Sequence, residues 1–210
     1  MTTPLSHRLR SDTKDAHTAA ERSGVMRSLL RGKISREKYV ALLQNLAALY
    51  EALESELDLH REHVALRQVD WNSLRRFPSL QHDIAAFGEF QTADIKPSTL
   101  AYVAHLHEIG AASPGLLFAH AYLRYLGDLY GGQIIKRVVE QTFADVKGAT
   151  TFYEFTNLGD LGAFKVSFRE AIDAIPESAA GADALVNEAK RGYELHAQIF
   201  SELEPGVPTE

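Results

Sequence analysis

From Ser35 to Leu57 the apolar side chains Tyr39, Leu42, Leu43, Leu46, Tyr50, Leu53 and Leu57 recur mostly at steps of three and four. That rhythm sets the whole chain's options, because residues spaced this way share one face of an α-helix and would scatter over both faces of a strand. Ser35 stands where a helix N-cap is wanted. An opening helix is expected from about Leu5 to Ser23, with Leu5, Leu9, Ala16 and Ala20 on its stripe and Gly24 closing it. Further helices are expected from Ser79 to Phe87 with Gly88 as the stop, from Pro97 through Ile109, across LLFAHAYLRYLGDLYGGQIIKRVVEQTF, from Ala163 to Ile175, and from Ala184 to Leu203. No stretch alternates apolar and polar residues over strand length, and no turn dipeptide joins two such stretches. The sequence predicts an all-α, single-domain, multi-helix fold, with residues 62–77 and 147–160 as packed connectors and 204–210 as a frayed tail.

Composition then removes whole classes of function. A chain of 210 residues, 45% hydrophobic, can bury one substantial core, so one domain is expected over 1–210, ordered from about 5 to 203. The net charge of -6 argues against nucleic acid or an anionic membrane as a general partner. With no cysteine there is no disulfide, thiolate zinc site, Cys-ligated iron-sulfur cluster or Cys nucleophile, which leaves histidine as the softest metal ligand. No apolar run is long enough to span a membrane, and MTTPLSHRLR lacks the apolar core of a secretory signal. A cytoplasmic protein without membrane anchor is expected. Phosphate-binding loops, nucleophile elbows and zinc-protease helices are missing, as is the Glu-x-x-His pair of di-iron bundles.

Two segments carry chemistry. In Gly127-Asp128-Leu129-Tyr130-Gly131-Gly132 three glycines interrupt a helix-forming run. Each gives up about 1 kcal/mol relative to alanine, so the segment either bends against a neighbour or lets a flat ligand reach bare backbone. Asp128 is then a candidate to hold water and pass protons, or simply a solvated or capping carboxylate. On the first helix Arg10, Thr13, His17 and Glu21 fall at offsets of three, four and four and share a face. An iron porphyrin needs an axial nitrogen, an apolar slot and cations for its propionates; His17 and Arg10 offer the first and the last. Glu21 could accept a hydrogen bond from the far ring nitrogen and fix the tautomer. Later, Lys165 and Arg169 sit four apart, with Phe164 and Phe168 one step earlier making an aromatic edge beside them. His60 and His63 read as solvent-facing; His105 and His107 fall on different faces; His7, His82, His120 and His196 have no partner that spacing reveals.

In chain order, DTKDAHTAAERSGVM, LLFAHAY, YLRYLGDLYGGQ and FKVSFR resemble the heme oxygenase family, and the likeness runs from about Leu5 to Leu203. The resemblance implies one heme, both substrate and cofactor, opened with O2 and electrons from an external donor, a ferredoxin or flavin reductase, to biliverdin, carbon monoxide and ferrous iron. It implies His17 as the iron's proximal ligand with Glu21 near it, and Gly127 and Gly131 pressed on the distal face with Gly132 supporting the bend. Asp128 would anchor a distal water network to which Tyr50 and Arg124 belong. Arg10, Lys165 and Arg169 would meet the propionates, and Thr13, Met26 and Tyr122 would line or support the pocket. Tyr130 stands where the family usually has a small serine, and Arg10 where it more often has lysine. A monomer is expected. The rival readings are a heme carrier that never opens the ring and a helical adaptor; a thiamine-pyrimidine hydrolase of similar fold would call for the cysteine this chain lacks.

Overall fold

Helix α4 (Arg36–Leu59) is the post around which the other elements gather. The computed structural model describes residues 3–88 and 94–204, which are helical with no strand among them; of the tail expected from Glu204, residues 205–210 lie outside the described residues. The Ser35 hydroxyl accepts the Lys38 N–H at 3.3 Å and caps α4. Its whole predicted stripe is buried, and so are Val40, Ala47, Leu49 and Ala52 off that stripe. The helix is wider in its burial than an amphipathic surface helix because α6 (Phe77–Ala86), α7 (Pro97–Ala112), α8 (Leu117–Ala121) and α11 (Ala182–Leu203) pack around it.

Buried polar groups on these helices hold the connectors. Asn45, fully buried, accepts from Lys96 N at 2.8 Å and Thr99 Oγ1 at 2.7 Å and so anchors the start of α7. Glu54 accepts the N–H groups of Arg76 at 2.5 Å and Phe77 at 3.2 Å, donors that the first turn of α6 cannot satisfy itself. Asp83 takes the N–H groups of Thr151 and Phe152 at 3.0 and 2.9 Å, which pins the connector 147–160 to α6. Arg76, 3% exposed, donates to the carbonyls of Leu74, Phe152 and Glu154 and stacks 4.1 Å from the centre of the Phe155 ring. Both connectors expected from the sequence are packed in this way, and the first contains one short helical turn, α5 (Trp71–Leu74).

The expected opening helix is in fact two. It breaks at Thr13 into α1 (Leu5–Asp12) and α2 (Lys14–Glu21). The Thr13 hydroxyl donates back to the Leu9 carbonyl, a contact that bends helices. Ser6 bonds through N and Oγ to Asp173 of α10 (Leu161–Asp173), and Arg8 pairs with Asp183 of α11 at 2.6 Å, so α1 leaves the line of α2 to follow those partners. Gly24, expected to close a helix, opens α3 (Gly24–Leu30), for which the sequence reading had no place. The helix expected from Ser79 starts at Phe77, with Pro78 inside its first turn.

Gly24 has φ +36°, and a Cβ there would stand 1.8 Å from the Phe200 carbonyl oxygen of α11. Gly24→Ala is therefore expected to cost about 3 kcal/mol, combining overpacking with a left-handed backbone, and a urea unfolding midpoint equal to the parent's would contradict this.

Candidate functional site

The glycine-rich segment begins α9 (Gly127–Thr142), directly after a π-helical turn, Tyr122–Leu126. The bend thus arises from a widened turn, a feature common at functional sites, with the glycines just beyond it. The three glycines then do different things. A Cβ on Gly127 or Gly131 would meet nothing within 4 Å, whereas one on Gly132 would lie 3.3 Å from the Tyr153 ring. Gly127 and Gly131 are one turn apart and open one face of α9 to space; Gly132 is where α9 packs on its neighbour. Ile134, 62% exposed, continues the open face as an apolar strip.

Asp128, next to this open strip on the helix surface, is turned into the core and buried at 7% exposure. Its Oδ2 accepts the Tyr50 hydroxyl of α4, and its Oδ1 pairs with Arg124 Nη2 at 2.9 Å. Arg124 Nε also reaches the Tyr50 oxygen at 3.2 Å, and its guanidinium lies 5.2 Å from the Tyr50 ring centre. A capping or solvated role for Asp128 is thereby ruled out. Burial pushes its carboxyl above the ordinary carboxylate range, against the pull of Arg124 and Tyr50. Arg124 is pulled down by burial too, but the neighbouring Asp128 carboxylate and Tyr50 more than offset this and it stays charged. Tyr50 is raised by burial and so keeps its proton.

His17 and Glu21 stand on α2, with side chains 44% and 51% exposed, while Thr13 is buried and Arg10 exposed. His17 Nε2 is 3.5 Å from Glu21 Oε1, an ion-pair distance beyond good hydrogen bonding. One ring nitrogen at a time can face Glu21, and the other is then left for a metal. The edge of the Tyr193 ring, from α11, meets the imidazole at 5.3 Å between centroids, and the Tyr193 phenol lies beside Thr13. Tyr193 also lies close enough to Tyr122 and Glu21 for each to act on its phenol, and Tyr122 in turn feels Arg10 and Tyr130. The α2 face and the start of α9 therefore converge on Tyr122 and Tyr193. Met26 is partly buried against the core nearby in sequence on α3. Tyr193 was missed from sequence because its place on the stripe of α11, between Ala189 and His196, reads as ordinary core packing. Its neighbour Gly192 was a readable signal: a Cβ there would come within 2.4 Å of Leu123, so α11 touches the π-helical turn at that point.

On α10 the expected pair is present, but its surroundings differ from expectation. Lys165 Nζ sits 4.0 Å above the centre of the Tyr130 ring, and Arg169 Nη2 donates to the Tyr130 hydroxyl at 2.9 Å. Tyr130, half exposed, bridges α9 to α10 where it could have turned into the slot or away to solvent. Phe168 is no ligand-facing edge: it is 1% exposed, stacked against Trp71 and Phe118 in the core. His60 is likewise paired, its Nε2 lying 3.4 Å from Glu56, and His120 is fully buried with two partners that spacing could not reveal.

These residues suit a flat, apolar, doubly anionic iron macrocycle. A side chain at Gly127 or Gly131 would meet nothing, an imidazole is half exposed on α2, and Arg10, Lys165 and Arg169 bring positive charge beside Tyr122 and Tyr130.

Residues 3–202 match the family model described as heme oxygenase. The chain is 35% identical to heme oxygenase 1 of Nostoc over 97% of its own length and 87% of that protein. It superposes on the crystal structure of heme oxygenase-1 from the cyanobacterium Synechocystis in complex with heme with a TM-score of 0.90, at 34% identity, covering 96% of this chain and 93% of that one. The heme oxygenase of Leptospira interrogans is similar at a TM-score of 0.89 and 33% identity, over 95% and 100% of the two chains.

The glycine geometry makes a paired prediction. Gly127→Ala and Gly131→Ala should each stabilise the protein without ligand by about 1 kcal/mol, since helix propensity improves and the new methyl meets nothing. Gly132→Ala should gain nothing or lose stability against Tyr153, so equal urea midpoints for all three would show that the open face is not as described.

Proposed function

Since the chain belongs to the heme oxygenase family, its activity is the oxidative opening of heme to biliverdin, carbon monoxide and ferrous iron, and we propose that the faces of α2 and α9 hold the ring between them. The observation that carries this reading is the open backbone at Gly127 and Gly131 immediately beside the buried, doubly anchored Asp128. Bound heme supplies the iron that activates oxygen and is itself the molecule consumed, so the protein's task is positioning and electrostatics.

His17 would hold the heme iron from α2, oriented by the Tyr193 ring edge and by Glu21. Gly127 and Gly131 would let the ring approach the α9 backbone with no side chain between. Asp128 is the proton-handling group. Tyr50 and Arg124 hold its two oxygens in place yet leave further lone pairs for water. Its raised pKa brings the carboxyl nearer to neutrality, where a group can both hold and release a proton. Arg10, Lys165 and Arg169 pair with the propionates, and Tyr130 sets the position of the last two. All of these residues come from one chain, so one copy carries a complete set of the proposed groups.

Electrons enter from an external donor of the ferredoxin or flavin reductase type, neither of which this chain carries. Beside Glu21 a cleft of about 390 Å³ is lined by Arg22, Arg27, Leu30 and Arg31. In a chain of net charge -6 such a basic patch is local, and it favours docking of an acidic redox protein next to the helix that bears His17. Among the described residues, no helix is long and apolar enough to cross a membrane.

Three measurements test this reading. With hemin, ascorbate and air, the parent should convert its Soret band to a bilin spectrum; His17→Ala should lower the rate about 100-fold or more, and a normal bilin yield would refute the ligand assignment. Asp128→Asn keeps the shape but not the charge, and should slow bilin formation by about 10²-fold, the scale of a lost proton-transfer group. Reversing Arg22, Arg27 and Arg31 to glutamate should slow turnover driven by an acidic ferredoxin, increasingly so at low salt, and leave the ascorbate-driven rate unchanged; equal losses with both donors would rule out docking there.

A further inference from the structure

Where α7, α8 and α11 pack together, three donors with no part in the heme site meet at one point. Glu188 Oε1 is 2.6 Å from His105 Nε2 and 2.8 Å from His120 Nε2. The three ligand atoms lie within 4.8 Å of one another, and each comes from a different helix. We propose that His105, His120 and Glu188 form a binding site for one divalent first-row cation of borderline softness, of which Zn2+ is the type.

Two imidazoles and one carboxylate are the ligands such cations take, and three protein ligands leave a fourth position for water. The donors are also supported from behind. The His120 side chain is 0% exposed, and its other ring nitrogen, Nδ1, is 2.7 Å from the Tyr102 hydroxyl. That hydroxyl can donate or accept, so it can accept the hydrogen bond of Nδ1–H when Nε2 turns its lone pair to a metal, as the outer partners of metal-bound histidines do. His105 and Glu188 are 13% and 12% exposed, which gives a hydrated cation a way in. Burial alone would raise the Glu188 carboxyl, but its contacts with His120 and His105 bring it down to about 2, so the site carries a negative charge at neutral pH. A second histidine pair on a buried carboxylate makes the contrast: His107 and His60 meet different oxygens of Glu56, at 2.6 and 3.4 Å, and share no common point.

The test uses the full-length chain, free of heme and stripped with a chelator, titrated with Co2+ as a visible probe and then with Zn2+ as competitor. One equivalent of Co2+ should bind with the absorption of a four-coordinate site, and Zn2+ should displace it. His105→Ala and Glu188→Gln should each weaken binding by on the order of ten-fold or more. His17→Ala should bind as the parent does, and His105→Ala should still develop a Soret band with hemin. Zn2+ should raise the parent's melting temperature and leave that of His105→Ala unmoved, as expected of a ligand for the native state. The proposal falls if no saturable binding occurs below millimolar metal, if either His105→Ala or Glu188→Gln keeps parental affinity, or if His17→Ala abolishes it.

Discussion

The Tyr50–Asp128–Arg124 contact is the joint on which the site depends. It buries a carboxylate and a guanidinium together, an arrangement tolerable only when every polar atom finds a partner. Because Tyr50 belongs to α4, Asp128 to α9 and Arg124 to the π-helical turn before it, this one cluster sets how α9 is rotated about its axis. Rotation is what matters: with Asp128 turned toward Tyr50, the adjoining strip of α9 that carries Gly127 and Gly131 is left facing open space. The buried carboxylate and the exposed backbone beside it thus both depend on this contact, and removing one partner would leave an uncompensated charge in the core.

Around this joint the fold spends polar side chains on holding loops. Asn45, Glu54, Arg76 and Asp83 are all nearly inaccessible, and each is satisfied chiefly by backbone groups at a helix start or in a connector. A helical bundle has no sheet to organise its crossings, so these bonds do that work. They explain how segments without apolar periodicity are nonetheless packed against α4 and α6.

Tyr130 illustrates how a departure from the family's usual residue is absorbed. A serine there could not span to α10, whereas tyrosine reaches Lys165 with its ring and Arg169 with its hydroxyl. The two cations of α10 are thereby held at a fixed place beside the start of α9. The ring takes up a position at the edge and leaves the glycine face clear.

What the sequence by itself determined is whatever depends on periodicity and residue type. The all-α class, the α4 stripe with its Ser35 cap, the stops at Gly88 and the late helices could be read because 3.6-residue spacing decides which side chains share a face. The His17–Glu21 pair on one helix face was legible for the same reason, as was the oddity of three glycines in a helix-forming run, whereas Arg10, expected on that same face, stands on the separate helix α1. Tertiary structure decided the rest. The break at Thr13, the reuse of Gly24 as a point of contact with Phe200, and the separate duties of Gly131 and Gly132 follow from partners far away in the chain. So do the burial of Phe168 and the meeting of His105, His120 and Glu188. Local sequence sets which face a residue occupies along its own helix, but what that face meets is settled only when distant helices pack, and no spacing rule carries that information.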